Sequence, residues 1–338
     1  MRIIEKEYSG VLPTCTFFDK YFTGFSVAIL DIETTGLNPK TDKLILGGLL
    51  SFSNGIQCLQ QFFSESPKEE KDVLSSYLSA IRKYDVVVTY NGKNFDMAFL
   101  KERCHQLGVD YDANLPHNFD LYIALRGYSQ LSKVLPNLKQ KTVENYLGLW
   151  SKRKDEISGK ESIDLYYSYC ATRHENILEK ILLHNHDDLL QLSKLIPILS
   201  KVDMHKAMYN MGFPVGPLST SSLKIEKTAF RVLGNQRKLS KNYLAYPEGN
   251  NKYYCCFDGN SNEFEIAFPI IRNNRFVLID LKGLWVSSFD GTYTEFDVKK
   301  LSNYPGVEED FLILEKDGSI NYLTVNIFID EFLKILLR

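Results

Sequence analysis

The sequence predicts an α/β domain followed by a smaller, mainly antiparallel β domain that closes with a helix, and three observations carry this. Residues 25–63 hold three apolar, β-branched runs, the last two separated by Asn54-Gly55, a strong signal for a tight hairpin turn. Residues 66–108 alternate a one-sided helical pattern, the almost wholly apolar DVVVTY at 85–90, and a second helical stretch. That is the pattern of a strand buried on both faces beside helices. From residue 201 onward the runs shorten to strand length and are punctuated by Asp-Gly at 258, 290 and 317.

A chain of 338 residues has room for two domains, and 44% hydrophobic with 24% charged residues is the balance of a folded protein. The net charge of −2 excludes a global cationic field, so an anionic polymer must be met by a local patch. Six cysteines without C-x-x-C spacing read as small thiols of a reducing compartment. The first residues lack a signal-peptide pattern and no apolar stretch is long enough to span a bilayer, so a cytoplasmic protein without membrane partners is expected.

Residues 1–24 form an N-terminal extension, either an edge strand or a strap. Strands are expected at 25–33, 44–52 and 56–63. The first, within VAILDIETTG, delivers Asp31 and Glu33 two residues apart, hence on one face and roughly 6 to 7 Å apart. Two like charges so placed call for a proton or a cation, and hard oxygen ligands suit Mg²⁺ or Mn²⁺. Taken alone, the pair also fits a solvated strand end.

Ser66-Pro67-Lys68-Glu69 predicts a helix start with Ser66 as N-cap, and Val73, Leu74, Tyr77, Leu78 and Ile81 give that helix one apolar face. The loop YNGKNFD after 85–90 leads into a helix over 97–107 that stops at Gly108. Asp96 at its start is either a first-turn acid or a ligand at the carboxyl end of a central strand. Residues 109–140, with Asn118-Phe119-Asp120-Leu121, show no clear period. Thr142 can cap a helix over 143–149, and the charged run 151–160 reads as a solvated loop. Helices follow from 161 and over 176–199; the second places His184 and Asp188 on one face and Asp187 elsewhere. A histidine there can deprotonate a water beside the acids, its ordinary pKa near 6.5 suiting that task.

DIETTG, YNGKNFD and HNHDD, in that order, resemble the three exonuclease motifs of the DEDD (DnaQ-like) superfamily of ribonuclease-H-like 3′ to 5′ exonucleases, which includes polymerase proofreading domains. KTVENYLGL and LYYSY make the chain most similar to the YprB-type branch. The resemblance covers residues 25–200. It implies a mixed five-stranded sheet flanked by helices, with Asp31, Glu33, Asp96 and Asp188 holding two Mg²⁺ or Mn²⁺ ions for phosphodiester hydrolysis, with His184 beside them. It further implies single-stranded DNA or RNA as partner. Thr34, Thr35 and Gly36 would let the backbone approach the terminal nucleotide, Leu37 would wedge against its base, and Asn91 and Phe95 would meet the sugar or the next base. The superfamily's third motif is usually Tyr-x3-Asp or His-x4-Asp; His184-x3-Asp188 puts the histidine of the second class in the tyrosine's place. Asp120 is a candidate outer acid, and the His105–Asp110 pair is structural.

Residues 201–338 are expected as a separate domain. Lys224, Lys227, Arg231, Arg237, Lys238 and Lys241, interleaved with Phe230, Tyr243 and Tyr246, fit either a single-stranded nucleic-acid groove or the solvated surface of a β domain. Asp258 to Asn262 lacks the glycine of a calcium loop, since Glu263 stands in the sixth place. The leading function is a metal-dependent nuclease; the alternative is a catalytically silent nucleic-acid-binding or scaffold protein with the same fold.

Overall fold

The computed structural model describes residues 1–111, 114–149, 157, 159–249 and 252–338. Two compact units divide the chain, Met1–Val202 and Asp203–Arg338. Among the described residues no helix is long and apolar enough to cross a membrane.

In the first unit, β1 (Arg2–Ser9) and α1 (Thr16–Phe22) precede β2 (Val27–Thr34), β3 (Leu44–Ser53) and β4 (Ile56–Phe63). They are followed by α2 (Glu70–Ile81), β5 (Val86–Thr89), α3 (Asp96–Leu107), β6 (His117–Asp120) and α4 (Leu121–Tyr128). Next come α5 (Leu131–Val134), α6 (Gln140–Tyr146), α7 (Gly159–Thr172), α8 (Glu175–Leu195) and a 3-10 turn, Ile196–Lys201. The sheet runs β1-β4-β3-β2-β5-β6, antiparallel on the first side and parallel from β2 to β6. This is a mixed α/β sheet flanked by helices. It has six strands where five are expected, because the N-terminal segment pairs as β1 with β4 along its whole length.

The alternation of β2 sends its even-numbered apolar side chains into one core. Ala28, Leu30 and Ile32 pack with Val73, Leu74, Tyr77, Leu78 and Ile81 of α2 and with Phe99 and Leu100 of α3. Ile45, Leu46 and Phe63 join Tyr166, Tyr169, Leu178 and Ile181 of α7 and α8 in a second core. Asp31 and Glu33 are odd-numbered in the same strand and so fall on the face that α8 crosses.

Three local expectations are corrected. The helix expected to start behind Ser66 starts at Glu70, with Glu69 as its N-cap and no side-chain cap bond. The Glu69 carboxylate accepts the Glu65 N–H at 2.9 Å instead of folding back on a serine cap. The 143–149 helix starts at Gln140, and Thr142 Oγ1 donates sideways to Asn137 Oδ1 at 2.7 Å. Residues 117–120, read as irregular, form β6 beside β5, with Phe119 seated on Phe22 at 5.3 Å between ring centroids. The charged run 151–160 lies for the most part outside the described residues.

The second unit begins with α9 (Met204–Met211), then β7 (Pro214–Val215), β8 (Leu218–Ile225), β9 (Ala229–Gln236), β10 (Tyr243–Ala245), β11 (Tyr254–Asp258) and β12 (Glu263–Pro269). It continues with β13 (Ile271–Arg272), β14 (Phe276–Asp280), β15 (Trp285–Ser287), β16 (Tyr293–Glu295), a 3-10 turn Val298–Leu301, β17 (Val307–Glu308), β18 (Phe311–Lys316), β19 (Ser319–Ile320) and α10 (Tyr322–Leu336). All its strand pairs are antiparallel. Phe268 meets Phe328 and Phe332 of α10 at 5.1 and 4.9 Å, an aromatic core of its own.

The cations and aromatics read as either a groove or a solvated surface have varied surroundings here. Phe230 is fully buried, and Arg237 is buried with Nη2 donating to Gly216 O. Arg231 is bracketed by Glu226 and Glu265, and Tyr243 donates its hydroxyl to Ser287 O. Alternation along β9 sends Phe230 to the core and Arg231 to the opposite face, where it stands across from Lys224.

Candidate metal centre

Strand pairing sets the site. β5 accompanies β2 only as far as Ile29 opposite Val88. Beyond that point Ile32 N–H is met instead by Asp96 Oδ1 at 3.2 Å, from the first residue of α3. The end of one parallel strand thus opens the space in which Asp96 reaches the carboxyl end of β2. On the other side of β2, the register shift after Glu33 turns the chain into the Thr-Thr-Gly loop.

α8 supplies the remaining groups. His184 Nε2 lies 3.7 Å from Glu33 Oε1 and 3.7 Å from Asp188 Oδ2. One donor atom from each of Glu33, His184 and Asp188 falls within 4.8 Å of the others, a group able to hold a metal ion. Glu33, Asp96 and His184 are buried, at 7%, 5% and 4% exposure, while Asp188 is part-exposed. Asp31 lies among them: its Oδ2 accepts from Asn185 Nδ2 at 2.9 Å, and it feels the charges of Asp188, Asp96 and Glu33. Asp187 points away, its carboxylate 2.9 Å from His186 Nδ1.

Such crowding shows in the acidities. Burial, then the charges of Asp188, Asp96 and Glu33, holds the Asp31 carboxyl well above the usual carboxylate range, against the Asn185 hydrogen bond. Burial pushes Glu33 up to about 7, with the His184 ring pulling it down and Asp188 adding to the rise. Asp96 is also pushed up to about 7 by burial, opposed by its own N–H and that of Ile32 and reinforced by Asp120 and Asp188. Carboxylates so placed bind either protons or a hard cation, and an oxygen-rich donor set of this kind suits Mg²⁺ or Mn²⁺.

The loop residues hold this strand end in shape. Thr34 Oγ1 donates to Gly36 O at 2.7 Å, and Thr35 Oγ1 accepts Lys43 N–H at 2.8 Å, closing the loop at its base. A Cβ at Gly36 would collide with the Asp42 carboxylate, and Leu37 stands out at 82% exposure. On the facing loop, Asn91 takes a positive φ of 63° and Phe95 packs on Phe99 at 5.8 Å. Asp120 caps α4 and accepts the N–H groups of Asn91 and Lys93 at 2.9 Å each, so it anchors that loop beneath Asp96. His105 and Asp110 are exposed at the end of α3.

Sequence reasoning missed Asn185 and Gln61. Gln61 Nε2 donates to Asn185 Oδ1 at 2.9 Å, and Asn185 in turn binds Asp31. The one available signal was the pair Gly47-Gly48 inside an otherwise apolar strand, since glycine in a strand marks the close approach of another group. A Cβ at Gly48 would strike the Asn185 carboxamide and one at Gly47 the Tyr77 ring.

The fold and this arrangement define a chain of the ribonuclease-H kind. The family profile described as the RNase_H superfamily matches residues 28–200, just over half of the chain, and the protein belongs to that superfamily. Among curated proteins it is similar to a DNA polymerase of Methanocaldococcus jannaschii, 31% identical over 77 residues, 22% of this chain and 5% of that one. It is also similar to a DNA polymerase of Thermococcus sp. (strain 9oN-7), 46% identical over 44 residues, 12% of this chain and 6% of that one. The chain thus matches only about a twentieth of the length of these relatives. Among solved structures, the family B DNA polymerase from the hyperthermophilic archaeon Pyrobaculum calidifontis aligns with a TM-score of 0.42 and 20% identity, over 55% of this chain and 26% of that one.

Proposed function

We propose that this protein is a divalent-metal-dependent nuclease of the DEDD type that removes nucleotides from the 3′ end of single-stranded DNA or RNA. The observation that carries the reading is the meeting of β2, α3 and α8, whose four acids crowd together, burial and the neighbouring charges raising the pKa values of Asp31, Glu33 and Asp96. Similarity to DNA polymerases in short stretches supports nucleic acid as the partner.

In this reading Asp31, Glu33, Asp96 and Asp188 hold two Mg²⁺ or Mn²⁺ ions. Bound there, such ions supply Lewis-acid neutralisation of the charge that builds on the scissile phosphate and the departing oxygen. His184 Nε2, facing between Glu33 and Asp188, accepts the proton of the attacking water. Leu37, exposed beyond the closed loop, wedges against the terminal base, and the backbone of Thr34, Thr35 and Gly36 lies beside its sugar. Asn91 and Phe95, on a loop fixed by Asp120, meet the sugar or the next base.

End-labelled oligonucleotides incubated with Mn²⁺ test this directly. Shortening from the 3′ end is expected, with a covalently closed circle left intact. Asp31→Asn and Asp188→Asn are expected to abolish cleavage, and His184→Gln to slow it by about 10²- to 10⁴-fold. Unimpaired cleavage by Asp31→Asn, or an inert wild-type protein, rejects the assignment; in the second case a silent binding protein with this fold becomes the better reading.

A further inference from the structure

The sheet face under α8 carries a buried polar chain that the chemistry above does not use. In the sheet register Asp31 stands opposite Gly48, and Gly48 opposite Gln61. Gln61 Nε2 donates to Leu182 O at 2.8 Å and to Asn185 Oδ1 at 2.9 Å; Asn185 Nδ2 then donates to Asp31 Oδ2 at 2.9 Å. Both amides are essentially inaccessible, at 1% and 0% exposure.

Their orientation has a physical cause. A backbone carbonyl can only accept, so Leu182 O draws the NH₂ end of Gln61. That NH₂ requires an acceptor from Asn185, which leaves Asn185 its own NH₂ for Asp31. Each amide could face either way in isolation; one helix carbonyl sets both. The absence of a side chain at Gly48 makes the room, because a Cβ there would occupy the position of the Asn185 carboxamide.

A neutral amide is a suitable partner for a metal-binding carboxylate. A lysine or arginine in its place would cancel the charge that attracts the cation, whereas an amide fixes one oxygen and leaves the charge in place.

We propose that Asn185, oriented by Gln61, is a positioning residue that holds Asp31 Oδ2 so that the other carboxylate oxygen is presented to a divalent ion. This rests on the reading of Asp31 as a metal ligand. Mn²⁺ titration calorimetry on the full chain, run beside thermal melts of the metal-free protein, tests it. Wild type is expected to bind Mn²⁺ and Asp31→Asn to lose that binding. Asn185→Leu, with the same branched outline and no polar atom, is expected to weaken Mn²⁺ binding about 10- to 100-fold. Gln61→Met keeps the length of the side chain but removes the donor without adding a charge, so Asn185 Oδ1 loses the bond that orients it. A weaker affinity for Mn²⁺ is expected there too, in a protein whose metal-free melt stays cooperative. Gln61→Met also decides the matter if Asn185→Leu does not fold. Mn²⁺ affinity unchanged in Gln61→Met, or unchanged in a folded Asn185→Leu, overturns the positioning role while leaving the nuclease reading intact. Wild-type protein that does not bind Mn²⁺, or binds it equally well as Asp31→Asn, overturns both.

Discussion

Buried acids at the end of β2 impose a pH dependence on the metal-free protein. Glu33 and Asp96 are both pushed up to about 7 by burial, from ordinary values of 4.5 and 3.8. Below about pH 3 both are largely protonated whether the chain is folded or not, and no penalty arises. Between that pH and 7 the unfolded chain releases protons that the folded chain retains, so folding stability falls, and above 7 it levels off. The loss is on the order of a few kcal/mol. Melts in EDTA are therefore expected to show a falling melting temperature from pH 5 to 8. Added Mn²⁺ should restore it strongly at pH 8 and hardly at pH 5, where protons compete for the same oxygens. For the same reason Glu33→Gln should raise the metal-free melting temperature at pH 8 while weakening Mn²⁺ binding. A melting temperature independent of pH in EDTA would contradict the electrostatics of the site.

At the level of elements, β3 shows how a strand can serve two neighbours at once. Gly47 and Gly48 face opposite sides of the sheet, one opening space for the Tyr77 ring of α2 and the other for the Asn185 carboxamide of α8. Tyr77 donates its hydroxyl to Gly48 O at 2.9 Å and lies 3.3 Å from Asp31 O, tying β2 to β3 from beneath. Gly47→Ala should therefore destabilise by about 1–3 kcal/mol through overpacking and leave the affinity for Mn²⁺ near wild type. Gly48→Ala should weaken Mn²⁺ binding as well; equal effects of the two substitutions on metal affinity would refute this division. A second brace is the buried pair of Arg103 and Glu70, bonded at 2.7 Å through both carboxylate oxygens, with Arg103 also reaching Pro39 O at 3.1 Å. Breaking it with Arg103→Leu leaves Glu70 buried without its counter-charge, and a loss of about 3–5 kcal/mol is expected in denaturant melts.

These elements also show what was legible in the sequence. Asn54-Gly55 supplies the positive φ values, 51° and 76°, that a tight hairpin turn requires, and Gly108 supplies the left-handed stop of α3, so local backbone chemistry sufficed. The nearness of the four acids and His184, and the mixed sheet, were readable because period and motif order are properties of the chain itself. Ser66 misled because a sequence pattern for a cap does not say which acid or amide is drawn away by tertiary partners; Glu69 is held by the Glu65 N–H. β6 is four residues with three polar ones, and it is a strand because β5 pairs with it. Gln61 and Asn185 were invisible because their bond joins residues 124 positions apart across two strands and a helix.

For the whole molecule, the division of labour follows from where the groups lie. Each acid, His184, and their partners Asn185, Gln61, Asp120 and Tyr77 fall within Met1–Val202, which also contains both cores of the six-stranded sheet. The unit Asp203–Arg338 has its own sheets and the aromatic core of Phe268, Phe328 and Phe332, with none of the candidate ligands. A fragment ending at Val202 is therefore expected to fold cooperatively and to bind Mn²⁺ within a few-fold of the full chain, since all the candidate ligands and the partners named above are retained. The fragment from Asp203 is expected to give a separate melting transition indifferent to Mn²⁺. Circular dichroism melts and Mn²⁺ calorimetry on the two fragments and the full chain check both statements. If the first fragment folds but loses Mn²⁺ affinity by more than tenfold, residues beyond Val202 complete the metal centre, and the assignment of the site to the first unit is wrong.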